Sequence, residues 1–393
     1  MTEHIPSPSR LRRAAFFLHS FEMGGAQRRS LALARELVGR DWSVDMLVAV
    51  NEGPLSCEIP PGVRVIELGG KLAYLPWVRN RRRRRVRAAI PALAAYLLAE
   101  RPTVLMAAAN HTTLAAVAAH ALANLPEVRL VLRASNSIST TRRRLSDRIK
   151  RLAVRWAYPR ADAIAAVSHA VAAELTALQP RLVGRVHVVP HPVIGRNGAE
   201  RTAQPVDHPW FAPGEPPVVL GVGRLVPQKD FTTLIHAVAR IRRERPLRLL
   251  VLGDGPEREA LEGLAGRLGL AGEVDLPGFV ANPLPFMRAA AVFVLSSRWE
   301  GMPGVLIEAM ACGCPVISTD CPGGSAEVLC YGDLGPLVPV GDVEAMALTI
   351  RSALDTAADR VALRVRAADF SVEAAGAALD ALLTTVTTGR MIS

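Results

Sequence analysis

Residues 297–313 read Ser-Arg-Trp-Glu-Gly-Met-Pro-Gly-Val-Leu-Ile-Glu-Ala-Met-Ala-Cys-Gly and hold two glutamates, Glu300 and Glu308, eight positions apart. The apolar patterns predict a buried strand just before this stretch and a helix inside it. Pro303 stands where it can serve as the first helical residue. The amides of Met302 to Val305 would then face outward at a helix N-terminus, which favours a phosphate or a polar sugar. We therefore expect a strand-to-helix turn that binds a polar ligand.

Glu308 lies one helical turn beyond that N-terminus. Because two anions repel, we expect its carboxylate to face hydroxyl groups of the ligand rather than phosphate. A salt bridge on a helix surface would account for Glu308 alone. It would not account for the glycines and the proline around both carboxylates, so the pattern favours a binding turn.

Short apolar runs alternate with helical patterns in both halves of the chain, which is typical of parallel sheets covered by helices. A strand at Ala14–Leu18, a glycine turn at Gly24 and Gly25, a helix to Val38 and a strand at Ser43–Val50 form a first βαβ unit. Further first-half strands are predicted near Val63–Glu67, Val104–Ala107, Arg129–Arg133, Ala163–Val167 and Val186–Val189.

The segment 190–217 is the richest in proline and glycine, and it predicts an interdomain linker. The alternation restarts at Val218. With 393 residues and 50% hydrophobic side chains, the chain can build two cores. We predict two doubly wound α/β domains, 1–190 and 218–370, joined by linker 191–217. The last segment, 371–393, is predicted to be a helix that can cross back onto the first domain.

The sequence Gly-Val-Gly-Arg-Leu-Val-Pro-Gln-Lys-Asp-Phe at 221–231 follows the first strand of the second domain. Arg224 and Lys229 are five residues apart around a proline-containing turn, so both cations can converge on one anion. A diphosphate suits this pair, because preorganised cations stabilise the charge of a departing nucleoside diphosphate. A separate structural role for either residue remains an alternative.

Two more predicted strand ends point at the same edge of the sheet, where open α/β folds bind ligands. They carry Gly253, Asp254 and Gly255, and then Phe279 and Val280. Glycines let a nucleoside approach the backbone, and amides near Phe279 and Val280 could bind a base edge. Any tight turn between a strand and a helix also uses glycine.

Positive charge is concentrated in the first half: residues 1–190 hold 29 Lys and Arg against 13 Asp and Glu, and the remainder holds 18 against 23. Each basic residue near an anionic leaflet contributes about 1 kcal/mol. An anionic membrane surface or a diphosphate-bearing lipid is one interpretation, and a solvated basic face is another. Nucleic acid is disfavoured because no aromatic side chains interleave the arginines. The candidate acceptor or membrane patch comprises Arg81, Arg82, Arg83, Arg84, Arg85, Arg142, Arg143 and Arg144.

No apolar run is long enough to span a bilayer, and the first residues do not resemble a secretory signal. Four of the five cysteines fall within residues 312–330, which raises a zinc site as an alternative. Cys312 and Cys314 stand where a helix ends and a strand begins, so buried structural thiols are favoured over a metal site. We expect a reducing, cytoplasmic location, peripheral on the plasma membrane.

Together these motifs, in this order, resemble glycosyltransferase family 4, the "glycosyl transferases group 1" enzymes of GT-B fold. The resemblance covers nearly the whole chain, with specific motifs from Val218 to Leu329. It implies transfer of a sugar from a nucleotide-sugar donor, with retention of configuration and usually without a metal or other cofactor. It also implies that Arg224 and Lys229 bind the donor diphosphate, Glu308 the ribose and Glu300 the donor sugar.

The stretch Gly-Gly-Ala-Gln-Arg at 24–28 resembles the family's amino-terminal glycine loop, which approaches the phosphates. One departure concerns a histidine that many relatives place at the end of a first-domain strand, where this chain has Ser135 and Asn136. His111 could supply an imidazole instead, with His19 as a weaker candidate, or His111 could be a structural histidine.

The acceptor implied by the basic half is a lipid-linked glycan or another saccharide in surface polysaccharide synthesis. Two other functions remain open: a GT-B-like UDP-sugar 2-epimerase, which would turn over the donor alone, and a nonenzymatic nucleotide or polyanion binder. A dinucleotide-dependent dehydrogenase is disfavoured because the first turn lacks G-x-G-x-x-G.

Overall fold

The structure is a computed structural model that describes residues 12–22, 24–70, 82–137, 151–152 and 154–389. Its first half contains a parallel sheet of seven strands in the order β3-β2-β1-β4-β5-β6-β7. These are β1 (Arg13–Leu18), β2 (Ser43–Val48), β3 (Val63–Glu67), β4 (Val104–Ala107), β5 (Arg129–Ala134), β6 (Ala163–Ala166) and β7 (Val186–Val188).

Helices connect these strands and cover both faces of the sheet. They are α1 (Gly25–Val38), α2 (Arg82–Ala88), α3 (Ile90–Glu100), α4 (Thr113–Ala123) and α5 (His169–Leu178). Burial on both faces explains why the strands are continuous apolar runs rather than alternating patterns. In β1, for example, every residue from Ala14 to Leu18 is 0% exposed.

The second half contains a parallel sheet of six strands in the order β10-β9-β8-β11-β12-β13. These are β8 (Val218–Val222), β9 (Arg248–Leu252), β10 (Val274–Gly278), β11 (Val292–Leu295), β12 (Val316–Thr319) and β13 (Leu337–Val338). A short helix, α6 (Gly198–Ala203), and a 3-10 turn, Pro209–Phe211, lie in the predicted linker. The other helices are α7 (Phe231–Arg242), α8 (Arg258–Arg267), α9 (Leu284–Ala289), α10 (Gly304–Ala311), α11 (Ser325–Val328), α12 (Val343–Asp355), α13 (Arg360–Ala368) and α14 (Val372–Thr388).

The predicted fold class is therefore confirmed: both halves are doubly wound parallel sheets. In each sheet the strand order reverses once, between β1 and β4 in the first and between β8 and β11 in the second. Ligands of open α/β sheets bind at such switch points, outside the carboxyl ends of the strands. The loops after these four strands are therefore the part of the fold that can form a site.

Helix α14 returns to the first sheet and packs there with α1. Leu379 and Leu383 are 0% exposed within the apolar cluster that also contains Phe16 of β1. The indole nitrogen of Trp42 donates a hydrogen bond of 2.8 Å to Asp380. The end of the chain thus forms part of the first core.

The second half also contacts the amino end of α5 in the first half. A carboxylate oxygen of Glu327, on α11, accepts hydrogen bonds from the backbone amides of His169 (2.8 Å) and Ala170 (3.4 Å). Ser168 caps the same helix by accepting from the Val171 amide, and its hydroxyl also donates to the Gly301 carbonyl at 3.3 Å. An acidic group from one half therefore satisfies helix amides of the other half.

We predict that Glu327→Ala loosens the two halves, because the amides of His169 and Ala170 lose their acceptor. Loss of a helix cap costs about 1 kcal/mol, so hydrogen exchange at these amides should accelerate by roughly fivefold to tenfold. Small-angle scattering should show a larger radius of gyration. Glu344→Ala is the control, because Glu344 pairs with Arg240 within the second half. Equal exchange rates in Glu327→Ala and the native protein would contradict the prediction.

Candidate functional site

An ion pair occupies the switch point of the second sheet. Lys229, in the loop after β8, places its Nζ 2.6 Å from Oε1 of Glu300, in the loop after β11. The hydroxyl of Ser297 donates to the same carboxylate oxygen at 2.8 Å. Both charged side chains are largely buried, at 15% and 9% exposure. The structure thus brings together two of the predicted site residues.

Hydrogen bonds hold these two loops against each other. The Arg298 amide donates to the Gln228 carbonyl at 2.8 Å, and the Gln228 side chain donates to the Trp299 carbonyl at 2.8 Å. Arg298 also forms an ion pair with the buried Asp230 at 2.8 Å. The position of Lys229 relative to Glu300 is therefore fixed by backbone and side-chain contacts on both sides.

The loops after β8 and β9 also touch through glycine. A Cβ atom at Gly253 would lie 1.9 Å from the Gly223 carbonyl oxygen, and one at Gly255 would lie 2.4 Å from that of Leu225. The Leu225 amide donates to the Asp254 carbonyl at 2.9 Å. The predicted glycines thus allow the loop of Arg224 to pack closely on the next loop.

The side chains of Arg224 and Asp254 differ in whether they pair with other described residues. The Arg224 side chain is exposed and makes no ion pair or side-chain hydrogen bond to the residues that the structure describes. Asp254 pairs with Arg258 at 3.1 Å, and this hydrogen bond, together with one from the Gly255 amide, lowers the pKa of its carboxyl. Of the two, only Arg224 has its charge available for a ligand.

The predicted base-binding positions lie past the end of β10. Phe279 is 65% exposed, and Val280 packs partly buried against the apolar core. Arg258 ties this strand end to β9 by donating to the carbonyls of Leu276 (2.6 Å) and Gly253 (3.3 Å). An exposed aromatic ring beside a fixed strand end offers a surface on which a planar base can stack.

Helix α10 begins at Gly304, with Pro303 as its N-cap rather than as the first helical residue predicted from the sequence. Pro303 has an extended backbone, with ψ at 90°, and so it precedes the helix. Gly304 lies beside Arg29 of α1, whose Nη2 would be 2.5 Å from a Cβ atom at that position. Arg29 follows the turn of Gly24 and Gly25, so the turns before α1 and α10 come close to each other.

Burial shifts the pKa values of the ionisable groups between these two helices. It raises the pKa of Glu308, against the opposing effect of the positive charges of Arg29, Arg201 and Arg28. It lowers the pKa of Arg29, while the carboxylates of Glu308 and Glu300 act in the opposite direction. Glu308 and Arg29 therefore influence each other electrostatically in poorly solvated surroundings.

His111 lies at the other switch point, in the first sheet, and His19 lies beside it. His19 follows β1 and His111 follows β4, and their ring centroids are 6.2 Å apart. Burial lowers the pKa of each imidazole to about 4. Each Nε2 is buried without a hydrogen-bond partner among the described residues. No contact in that part of the chain joins His111 to Glu300 or Lys229, so the histidines form a separate group.

The arginine patch is only partly as predicted. Arg82, Arg83 and Arg84 are exposed on α2. The prediction that Arg85 belongs to a surface patch is wrong. Its side chain is 9% exposed and its Nη1 pairs with Glu52 at 3.2 Å, because α2 turns this position towards the protein. Arg81, Arg142, Arg143 and Arg144 lie outside the described residues.

Cys312 and Cys314 are buried, and their thiols point at the carbonyls of Leu284 and Ala290. Burial raises the pKa of Cys312 to about 11 and that of Cys314 to about 12. Both are therefore protonated thiols at neutral pH. Among the described residues, no three His, Cys, Asp or Glu side chains cluster as a metal site would need.

Sequence reasoning missed Arg29, Arg133 and Ser297. The signal for Arg133 was available: one arginine interrupts the apolar strand Leu-Val-Leu-Arg-Ala, where charge is costly. Ser297 offered none, because a serine after a strand is common. Arg29 could be found only from the packing of α1 against α10.

Two family descriptions match the chain. "Glycosyltransferase Family 4" matches residues 23–194, and "Glycosyl transferases group 1" matches residues 216–356. None of the described helices is long and apolar enough to cross a membrane.

Curated relatives match within the chain. The lipopolysaccharide core biosynthesis glycosyltransferase LpsE of Rhizobium meliloti is 41% identical over 35% of this chain and 39% of its own length. The N-acetylgalactosamine-N,N'-diacetylbacillosaminyl-diphospho-undecaprenol 4-alpha-N-acetylgalactosaminyltransferase of Campylobacter jejuni is 36% identical over 35% of this chain and 37% of its own length. The matched segments thus span less than half of these relatives.

Solved structures match over almost the whole chain. A glycosyltransferase from Rickettsia africae has a TM-score of 0.77 at 14% identity, covering 97% of this chain and 100% of its own. Anabaena HepE in complex with UDP has a TM-score of 0.71 at 20% identity, covering 95% and 100%. These likenesses establish the shared fold. With its two halves matched in order by the two family descriptions, the chain belongs to glycosyltransferase family 4.

Proposed function

We propose that this protein is a retaining glycosyltransferase that moves a sugar from a UDP-sugar to a hydroxyl group of an acceptor. The observation that carries the proposal is the Lys229–Glu300 ion pair at the switch point of the second sheet, 2.6 Å between Nζ and Oε1. The pair holds a cation that can bind phosphate at hydrogen-bond distance from a carboxylate that can bind sugar hydroxyl groups. A phosphate binder alone would gain nothing from that carboxylate.

The donor would lie along the carboxyl ends of β8 to β11. Lys229 and the exposed Arg224 meet the diphosphate, and the amides at the start of α10 add partial positive charge. When the diphosphate pairs with Lys229, Glu300 loses that partner and can accept hydrogen bonds from the hydroxyl groups of the donor sugar. Glu308, half-buried one turn into α10, faces the ribose hydroxyls.

In the transfer step the bond between the anomeric carbon and the diphosphate oxygen breaks, and the acceptor oxygen bonds to that carbon from the same face. The acceptor proton passes to the departing diphosphate. Arg224, Lys229 and helix amides stabilise the charge on that leaving group, with each preorganised donor contributing about 3 kcal/mol. We propose that these cations take the place of a metal ion.

The choice of UDP is supported by structural neighbours whose complexes contain UDP or UDP-glucose. A relative from Mycolicibacterium smegmatis, 37% identical over 35% of this chain, is named as GDP-mannose-dependent. In this proposal the nucleotide base binds at Phe279 and Val280, and affinities for nucleotides with different bases test the preference for UDP directly.

We predict that calorimetry detects binding of UDP and UDP-sugars in preference to GDP- and ADP-sugars. Lys229→Ala should weaken UDP binding about tenfold to a hundredfold, because an ionic hydrogen bond to phosphate is lost. Glu300→Gln should leave UDP binding within about threefold but reduce slow hydrolysis of the UDP-sugar about a hundredfold. Arg243→Ala is the control, because that side chain lies at the far end of α7. No binding of any nucleotide would refute the proposal.

The acceptor is proposed to be a lipid-linked glycan at the cytoplasmic face of a membrane. Relatives are named for lipopolysaccharide core synthesis and for a diphospho-undecaprenol substrate. The excess of basic residues lies in the first half, opposite the donor site. Arg82, which pairs with Glu22, and Arg83 and Arg84 are exposed on α2, where their positive charge can attract anionic headgroups.

We predict that the protein co-sediments with vesicles containing anionic lipid at low salt and not with neutral vesicles. Changing Arg83 and Arg84 to Glu should reduce the vesicle-bound fraction about tenfold or more, because each basic residue contributes about 1 kcal/mol. The control replaces Arg351 by Glu, on α12 of the second half. Equal sedimentation of the native and Arg83/Arg84 variants would remove the membrane from the proposal.

His19 and His111 are proposed to position the acceptor hydroxyl. They lie at the first switch point with unpartnered Nε2 atoms, and burial holds the pKa of each near 4. Both imidazoles are therefore neutral at physiological pH, and they can donate or accept a hydrogen bond without repelling a cation or attracting phosphate.

We predict a pH signature from these two groups. Their folded pKa values lie below the unfolded value, so the unfolded state binds more protons and stability falls as pH drops from about 6.5 to about 4. The melting temperature of a His19→Gln, His111→Gln double variant should fall less steeply over that range. His169→Gln serves as control because His169 is exposed. Parallel curves for the native protein and the double variant would contradict neutral, buried imidazoles.

A further inference from the structure

A buried arginine in the first half has an unused donor. Arg133, near the end of β5, is 3% exposed, and its Nη2 lies 3.1 Å from Nδ1 of His191. Its Nη1 is buried and has no hydrogen-bond partner among the described residues. A guanidinium has five donors and cannot accept, so this nitrogen needs an acceptor that the described residues do not supply.

His191 does not neutralise that charge. It is itself 3% exposed, and burial together with the charges of Arg29 and Arg133 lowers its pKa well below the ordinary value. The imidazole is therefore neutral, and its Nδ1 accepts the hydrogen bond from Arg133. The positive charge of Arg133 is left without a carboxylate partner in the part of the chain that the structure describes.

Arg29 brings a second cation to the same place. Burial lowers the pKa of Arg133 to about 9, and the positive charge of Arg29 acts in the same direction. Arg29 makes no ion pair or hydrogen bond at contact distance within the described residues, although Glu308 and Glu300 influence it electrostatically. The charge of Arg29 acts on Arg133, so these two poorly solvated guanidinium groups repel each other.

We propose that Arg29 and Arg133 form an anion subsite in the first half, beside the turn before α10, which binds an oxyanion of the donor. The oxyanion is a phosphate group or a carboxylate of an acidic donor sugar, since both match the fork of a guanidinium. This inference rests on the proposed function, because Gly304 beside Arg29 belongs to the donor-binding turn. The subsite would add two binding groups from the first half to Lys229 of the second half.

The location supports this assignment over a purely structural role. Arg29 extends from the turn of Gly24 and Gly25 to the start of α10, so it bridges both halves where the donor would lie. A role limited to the hydrogen bond with His191 would leave Nη1 of Arg133 buried without an acceptor among the described residues. An oxyanion between the two guanidinium groups would satisfy Nη1 of Arg133 and remove the repulsion.

The test measures affinities for UMP, UDP, UDP-glucose and UDP-glucuronate by calorimetry in the native protein, Arg29→Gln and Arg133→Met. Arg35→Gln is the matched control, an exposed arginine on α1 six residues after Arg29. If the subsite binds phosphate, UDP affinity falls about tenfold to a hundredfold in both variants while UMP affinity is unchanged. If it binds a carboxylate, UDP is unaffected, and a native preference for UDP-glucuronate over UDP-glucose disappears.

Three results would overturn the inference. Unchanged affinity for all four ligands in both variants, with Lys229→Ala still weakening UDP, would refute the subsite and leave the proposed function standing. Equal losses for UMP and UDP would show that the arginines only maintain the structure. Failure of the native protein to bind any of the four would refute both. Arg29→Gln changes a half-buried helix position, so it decides the matter if Arg133→Met does not fold.

Discussion

A Cβ atom at Gly323 would lie 1.9 Å from the carbonyl oxygen of Glu300, and one at Gly301 would lie 2.1 Å from that of Ser135. Neither position can carry a side chain without moving a backbone. The turn of Glu300 is thereby confined between a loop of its own half and a strand end of the other half. The ion pair with Lys229 depends on this confinement, because a turn that could shift would let a flexible lysine separate from its carboxylate.

Burial of charge at Lys229 and Glu300 is tolerated because the two opposite charges pair directly. Lys229 is paired with Glu300, whereas Glu308 has a raised pKa and is opposed only at longer range by Arg29. Burial disfavours the charged form of Glu308, and the positive charges of Arg29, Arg201 and Arg28 oppose that effect.

The fold was largely predictable because parallel strands buried on both faces are continuous apolar runs. The bounds of Val63–Glu67 and Val104–Ala107 match those predicted. The predicted helix start at Pro303 was one position too early, because a proline is compatible with both the N-cap and the first turn. Arg85 could not be distinguished from its neighbours, because only the packing of α2 decides which arginine turns inward.

The site was predictable wherever one loop carries a motif, and not where two distant segments meet. Lys229 and Glu300 belong to recognisable turns, and the sheet order brings them together. Arg29 and Arg133 lie 104 positions apart on α1 and β5, and neither belongs to the recognised motifs. Their juxtaposition arises because the face of the first sheet that α1 covers also carries Arg133. Both arginines belong to the first half, and Arg29 also lies beside Gly304 of the second half, so a ligand bound by the pair would lie where the two halves meet.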